Sequence, residues 1–366
     1  MAEIAKIIKK AVEEQGVIPF KEFMRLALYC PDYGYYEQAE GQIGSGGDYY
    51  TNVSIGSLFG ELLAFQFARW LDKLPGPVQL VEAGAHDGRL ARDILCWLAT
   101  HEPGLFERAE YWIIEPSLRR EGWQKQALKE FAPKVRWFES ITQLPDPVSG
   151  VTFSNELLDA FPVHRLGWDA QMKRWFEWGV ALDADGTLVW RKIPRQPDYF
   201  ARELRQAALE TPAELAAVLP DEFTIELCTE AAAWWQQAAS CLEEGKLLTV
   251  DYGLSAEQLL APSRAAGTLR AYRGHTLNKN LLADPGGQDL TGHVNFTQLQ
   301  RAGEAAGLTT EALLTQEQFL TGIAARIWAG EKMREWTSSE KRQFQTLVHP
   351  EHLGRPFSVL VQAKVE

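Results

Sequence analysis

The stretch Val78-Gln79-Leu80-Val81-Glu82-Ala83-Gly84-Ala85-His86-Asp87-Gly88-Arg89-Leu90 decides the reading of the fold. An apolar run ends in a carboxylate and passes through a short turn with two glycines. It then becomes a helix with Leu90, Ile94, Leu95 and Leu98 on one face. A buried parallel strand, a tight turn and a helix N-terminus in succession form the unit with which α/β proteins bind nucleotide-like ligands. Gly84 and Gly88 let the chain turn sharply and let a ligand approach where no Cβ stands in the way.

The spacing separates two nucleotide chemistries. A dinucleotide fingerprint reads G-x-G-x-x-G with an acid about 20 residues further on. Here the order is E-x-G-x-x-x-G, position 86 is histidine, and the next strand-end acid is Glu115, 27 positions beyond Gly88. An acid ahead of the first glycine is the arrangement of S-adenosylmethionine (SAM) methyltransferases, and an NAD-dependent oxidoreductase is disfavoured by the same spacing. Glu82 would then face the cationic methionine end, and Glu115, after Tyr111-Trp112-Ile113-Ile114, would take the ribose hydroxyls. Two O–H donors to one carboxylate are charge-assisted bonds of about 1.5–3 kcal/mol each. Taken alone, the motif also allows a strand–turn–helix joint with no ligand.

Composition bounds the rest. With 366 residues, 46% apolar and 23% charged, the chain suits one large α/β domain with insertions or two smaller ones. Thirteen tryptophans point to an aromatic-rich surface or cleft as well as a core. A formal net charge of −12 argues against a nucleic-acid partner, which would need a basic stripe. It suits a basic substrate such as an arginine-bearing segment, although acidity is more often a matter of solubility. Cys30, Cys96, Cys228 and Cys241 form no C-x-x-C pair and read as reduced thiols of a cytosolic protein. No run of 18 apolar residues exists to insert into a membrane. Residues 1–15 mix lysines with glutamates and resemble neither a signal nor a transit peptide, so a cytoplasmic, bacterial-like protein is expected.

Taken in order, residues 3–14 and 19–29 have helical periodicity, and Pro31 to Tyr36 breaks it. The glycine-rich Gly41 to Gly47 is either a flexible loop or a lid over a ligand. A long helix from Ile55 to Leu74 stops at Pro75-Gly76-Pro77. Strands are expected at 78–84, 110–115, 135–139, 150–154 and 246–251, with helices near 89–99, 117–130 and 229–243. This alternation implies a parallel sheet. Residues 161–190 read instead as antiparallel strands around a turn at Asp185-Gly186. Residues 194–220 read as a polar connection with a helix, and 255–296 show little periodicity. Helix 297–306 and a last strand at 357–363 follow. The expected organisation is a helical cap with a glycine-rich loop at 1–75. Residues 76–366 form the sheet domain, interrupted at about 161–222 and 255–296.

Three patches at or after strand ends carry candidate chemistry. Asn155, Glu156 and Asp159 crowd one strand end, which is costly unless they hydrogen-bond something. Asp251-Tyr252-Gly253 closes another strand. The third patch runs from Gly267 to His275 and from Asp289 to Phe296, with His275 and His293 as candidate bases. Lacking cysteine or H-x-x-x-H spacing nearby, it is not read as a metal site.

On these residues the chain resembles the MidA family of SAM-dependent methyltransferases. The resemblance covers nearly everything from Phe20 to Ala363. It rests on Pro31-Asp32-Tyr33-Gly34-Tyr35-Tyr36, Gly47-Asp48-Tyr49-Tyr50-Thr51, Asn155-Glu156-Leu157-Leu158-Asp159-Ala160-Phe161-Pro162, Asp251-Tyr252-Gly253, Gly267-Thr268-Leu269-Arg270 and Asp289-Leu290-Thr291-Gly292-His293-Val294-Asn295-Phe296. It implies a Rossmann-like class I sheet of seven strands, mostly parallel with the last antiparallel, under a lid made by the cap and insertions. It also implies an EC 2.1.1 enzyme that uses S-adenosyl-L-methionine. The family includes a mitochondrial complex I assembly factor, and its eukaryotic branch symmetrically dimethylates an arginine on a complex I subunit. The expectation for this chain is therefore an arginine-bearing protein substrate. Two alternatives stand beside it. One is a small-molecule O- or N-methyltransferase, suggested by Trp175, Trp178 and the tyrosines at 33–50. The other is a non-catalytic assembly protein that keeps the fold.

The expected cofactor residues are Thr51, Glu82, Gly84, Ala85, Gly88, Glu115 and Asn155. A guanidinium must be held by carboxylates in a fixed fork and aligned with the methyl. Glu156 and Asp159 are assigned to that task, Asp251 to orientation and His293 to accepting the proton. The departure from the family pattern is Gly84-Ala85-His86-Asp87-Gly88 in place of G-x-G-x-G. A side chain at 86 is harmless if it points away from the ligand and weakens SAM binding otherwise.

Overall fold

The computed structural model describes residues 3–38, 51–145, 147–273, 276–330 and 335–364. His275 and most of the glycine-rich loop, including Asp48 to Tyr50, lie outside them.

The apolar runs read above become neighbours in one twisted sheet. Its strands are Val78–Ala83 (β1), Ala109–Ile114 (β2), Val135–Phe138 (β3), Val148–Asn155 (β4), Leu242–Leu254 (β5), Thr309–Thr315 (β6) and Phe357–Lys364 (β7). The spatial order is β3-β2-β1-β4-β5-β7-β6. β7 runs antiparallel to both of its neighbours, and the other four pairings are parallel. Both faces of β1 are buried: Val78 and Leu80 join one core cluster, Val81 and Ala83 the other. A strand buried on both faces needs no polar alternation, which explains its continuous apolar run. Helices Leu58–Leu71, Arg89–His101 and Gln316–Trp328 cover the first face. Helices Thr229–Cys241 and Phe296–Ala305 cover the second. The chain winds outward in opposite directions from β1 and β4, so a crevice opens beyond the C-terminal ends of these strands.

The first insertion makes a five-stranded antiparallel sheet from Ile18–Pro19, His164–Asp169, Arg174–Leu182, Leu188–Ile193 and Thr224–Leu227. Its hairpin turns where expected. Asp183 Oδ1 accepts the N–H groups of Asp185 (3.0 Å) and Thr187 (2.8 Å), and Gly186 takes φ +72°. The sheet runs to Leu227, past the expected end of the insertion at 222. Because Ile18–Pro19 joins it, the N-terminal helices share a core with the insertions: Ile4, Phe20 and Phe23 pack with Val180, Ala271 and Leu290. The second insertion contains a three-stranded sheet, Arg270–Arg273 between Thr276–Asn278 and Asp289–Thr291.

Sequence periodicity missed β6 and the helices Gln316–Trp328 and Ser338–Val348. Both helices start with a capping box, Thr315 with Gln318 and Thr337 with Glu340, a start signal legible as T-x-x-Q and T-x-x-E.

Candidate active site

A cavity of about 860 Å³ lies over the C-terminal ends of β1, β2 and β4, roofed by cap residues including Tyr29, Tyr36 and Glu37. Its floor is the turn after β1. Gly84 (φ +77°), His86 (φ +46°) and Gly88 (φ +82°) all adopt left-handed backbone. A Cβ on Gly84 would sit 2.9 Å from Leu157 Cδ1, and one on Gly88 would sit 3.3 Å from Gln124 Cα. Gly84 therefore serves the close approach of the β4 turn, and Gly88, which does not line the cavity, serves the packing of helix Leu118–Ala127. His86 follows a backbone path that glycine adopts without strain, at a cost of about 1–2 kcal/mol for an L-residue. Its carbonyl accepts Gln124 Nε2 at 3.0 Å, which fixes the turn despite that strain.

Two buried acids flank the turn. Glu82 Oε2 accepts the Tyr111 hydroxyl at 2.6 Å. Burial pushes its carboxyl up to about 8; the Tyr111 bond opposes the shift and Asp87 adds to it. Glu115 is held from three sides. Its Oε1 accepts Ser117 N–H (2.9 Å) and Arg120 Nε (3.0 Å), and its Oε2 accepts Gln124 Nε2 (2.8 Å). A carboxylate offers about four acceptor positions, so capacity remains on the cavity side. Gln124, fully buried, bonds both Glu115 and the His86 carbonyl, and its Oε1 accepts Trp137 Nε1 at 3.0 Å. It locks the two halves of the floor together.

The third wall is the turn after β4. Glu156 takes φ +50°, and its Oε1 accepts Asn52 N–H (2.8 Å) and Asn155 Nδ2 (3.1 Å). Oε2 has no hydrogen-bond partner among the described residues, although it is shielded from bulk water. Burial pushes this carboxyl up to about 8; the Asn52 and Asn155 bonds oppose the shift, and Asp251 and Asp289 add to it. Asn52, fully buried, also gives Nδ2–H to Asn155 Oδ1 (3.1 Å) and accepts Gln316 Nε2 (2.8 Å). It ties the cap, β4 and the C-terminal helices to one point.

The comparisons bear on what this geometry serves. The model of a family described as S-adenosyl-L-methionine-dependent methyltransferases matches residues 62–314. The chain belongs to this family. A crystal structure from Burkholderia thailandensis, bound to S-adenosyl-homocysteine, superposes on the methyltransferase with a TM-score of 0.84 at 28% identity, covering 99% of this chain and 92% of that one. A native crystal structure of a protein from the same organism gives a TM-score of 0.81 at 27% identity, covering 99% and 91%. The mitochondrial protein arginine methyltransferase NDUFAF7 of Xenopus laevis is 28% identical over 94% of this chain and 81% of its own length. The fold, the enzyme class and the SAM cofactor follow. The expected seven-stranded sheet with its antiparallel last strand is the sheet described above.

The methyltransferase brings seven of the expected site residues to the cavity wall: Thr51, Glu82, Gly84, Ala85, Glu115, Asn155 and Glu156. Asp159, Asp251 and His293, expected at the acceptor, do not line it. Asp251 is fully buried and already spent. Its Oδ2 accepts the N–H groups of Leu157 (3.2 Å) and Leu158 (2.8 Å), and its Oδ1 accepts that of Tyr252 (2.8 Å). It shapes the turn that presents Glu156. Asp159 is buried behind that turn, where burial and then Asp251, Asp289 and Glu156 raise its carboxyl well above the usual range. His293 is held down to about 4 by burial, with Arg270 and Arg264 adding to the shift, so its imidazole is a weak base. The sequence reading overlooked Asn52, Gln124 and the cap's Glu37. Glu37 Oε2 accepts the Ser117 hydroxyl at 2.8 Å, and its carboxylate stands 3.6 Å from Arg120, so it fastens the cap beside Glu115. No spacing rule connects residues this far apart in the chain.

The cavity carries the acids Asp32, Glu37, Glu82, Asp87, Glu115, Glu139, Glu156 and Glu230 against four arginines. Among the described residues, no helix is long and apolar enough to cross a membrane.

Proposed function

We propose that this methyltransferase transfers the methyl group of SAM to an arginine side chain of a protein. The observation that carries the reading is Glu156, a residue of the cavity wall whose Oε2 has no partner among the described residues. An unpaired buried carboxylate is costly, and a guanidinium is the group that best repays it. The acid excess of the wall favours a cation as well. The protein arginine methyltransferases that resemble this chain along most of its length support the same acceptor.

The residues fit both substrates. SAM supplies an electrophilic methyl on a sulfonium. Glu82 would face its cationic amino-acid end, Glu115 would accept the ribose hydroxyls, and the turn at Gly84 and Ala85 would let the backbone approach. Thr51 and Asn155 close that side of the cavity. Glu156 would hold the guanidinium so that one nitrogen points along the line of attack. That nitrogen sheds a proton as the methyl arrives. A carboxylate whose pKa stands near 8 receives it better than one in the ordinary range.

The volume favours a second reading. A cavity of 860 Å³ lies within the roughly 300–1,000 Å³ typical of small-molecule sites, and Tyr29 and Trp234 give it aromatic walls. One experiment separates the two. The protein is incubated with methyl-tritiated SAM and an extract of cells lacking it, and the protein fraction is hydrolysed and searched for methylarginine. Label in methylarginine supports the proposal. Label confined to the small-molecule fraction replaces it with the second reading. No label anywhere, with S-adenosylhomocysteine still bound, leaves a non-catalytic assembly protein.

A further inference from the structure

Helix Thr229–Cys241 has a cavity on each side. Glu230, Trp234 and Gln237 face the active site, while Thr229, Ala232 and Gln236 face a second cavity of about 620 Å³. The second cavity is closed by helices Ala201–Gln206 and Phe296–Ala305 and by His164 at the start of its strand. Its chemistry is the reverse of the first. Arg202 and Arg301 line it against the single acid Glu203, in a chain whose net charge is −12.

Two polar groups there have been prepared without being used. Gln298 is only 4% exposed, yet its side-chain amide has no hydrogen-bond partner among the described residues and lines the cavity. His164 gives Nδ1 to Glu177 Oε1 at 2.6 Å, and Glu177 is itself fully buried and held by Arg195 Nε at 2.8 Å. That anchoring fixes the imidazole and leaves Nε2 as the ring nitrogen without a partner among the described residues. Neither atom of that amide is among the buried unpaired ones, so it is open to the cavity and available to a ligand. Phe200, Ala232, Ala302 and Ala305 supply an apolar part of the wall beside the polar Thr229 and Gln236.

We infer that this second cavity is a binding site for a small organic carboxylate. Its anion sits between Arg202 and Arg301 and accepts from the Gln298 amide, and its apolar body lies on Phe200. The site is separate from methyl transfer and does not depend on the identity of the methyl acceptor.

The test is calorimetric titration of benzoate, and separately of inorganic phosphate, into protein saturated with S-adenosylhomocysteine. Wild type is compared with Arg202→Ala and Gln298→Leu. Saturable benzoate binding that weakens at least tenfold in both variants is expected. The Gln298→Leu protein without benzoate should melt within a few degrees of the wild type, because no hydrogen bond of the side-chain amide within the described residues is lost. Absent benzoate binding, equal binding by the variants, or phosphate binding without benzoate binding would overturn the inference. So would a melting point several degrees lower for Gln298→Leu, which would make the amide structural. If that variant does not fold, Arg202→Ala decides. S-adenosylhomocysteine affinity, measured alongside, should be the same in all three, so a failure here leaves the methyl-transfer reading intact.

Discussion

Replacing Glu156 by glutamine removes the charge that the carboxyl would carry beside a bound guanidinium, and no volume. The two donors that hold Oε1, Asn52 N–H and Asn155 Nδ2, require an acceptor, so the amide oxygen must take that side. The new NH2 then occupies the place of Oε2, the oxygen proposed to meet the substrate. A guanidinium N–H loses a charge-assisted bond, worth about 1.5–3 kcal/mol, and meets a donor instead. A loss of about 2–3 kcal/mol corresponds to a rate roughly 30- to 150-fold lower. The assay is the initial rate of methylarginine formation at limiting protein substrate, which reads kcat/KM. Calorimetry with S-adenosylhomocysteine should show affinity within about threefold of wild type, since the proposed ribose and methionine partners are untouched. A Glu156→Gln enzyme that keeps a third or more of the wild-type rate would refute the assignment of the guanidinium to Glu156.

Three further outcomes follow from the same geometry. Glu115→Ala should weaken S-adenosylhomocysteine binding at least tenfold, about 1.4 kcal/mol by calorimetry; an unchanged Kd would remove the ribose from Glu115. His86→Gly relieves a left-handed histidine but frees the unfolded chain, so unfolding free energy should move by no more than about 1 kcal/mol. Its affinity for S-adenosylhomocysteine should not fall, and a tenfold loss would show that the imidazole contacts the cofactor. Finally, Glu82 and Glu156 stand near 8 in the folded protein and near the ordinary carboxylate value when unfolded. The native state binds the extra protons in that interval. The stabilising contribution is complete below the unfolded value and is lost as pH rises through about 8, by up to roughly 1.4 kcal/mol per pH unit for each group. The melting temperature of the ligand-free protein should accordingly fall from pH 5.5 to 8.5, less steeply in Glu156→Gln; a flat or rising profile would contradict the burial of these carboxylates.

What could be read from the sequence divides along a physical line. The strand and turn from Val78 to Gly88 were legible because their constraints are local. Double-sided burial writes an apolar run, and left-handed backbone at 84 and 88 calls for glycine. His86 hid the third left-handed position because Gln124, 38 residues away, supplies the bond that holds its carbonyl. The strand β6 was missed for a different reason. It lies at the sheet edge with alternate residues exposed, as Glu311 and Leu313 show, and so carries too few apolar residues to stand out from a loop.

The carboxylates of the acceptor wall show the same limit most sharply. Glu156, Asp159 and Asp251 are equally acidic and equally near strand ends, and only the folded chain assigns their work. Asp251 is occupied by three backbone N–H groups, so it cannot also take a substrate cation without losing the turn that it builds. Asp159 lies behind that turn and is pushed toward its neutral form by burial and then by the acids around it. Glu156 differs because its left-handed backbone sets it on the cavity wall while Asn52 and Asn155 hold one oxygen. A site that needs one free carboxylate oxygen has to occupy the neighbouring acids elsewhere. The turn does so with Asp251, which makes the structural acid a condition for the chemical one.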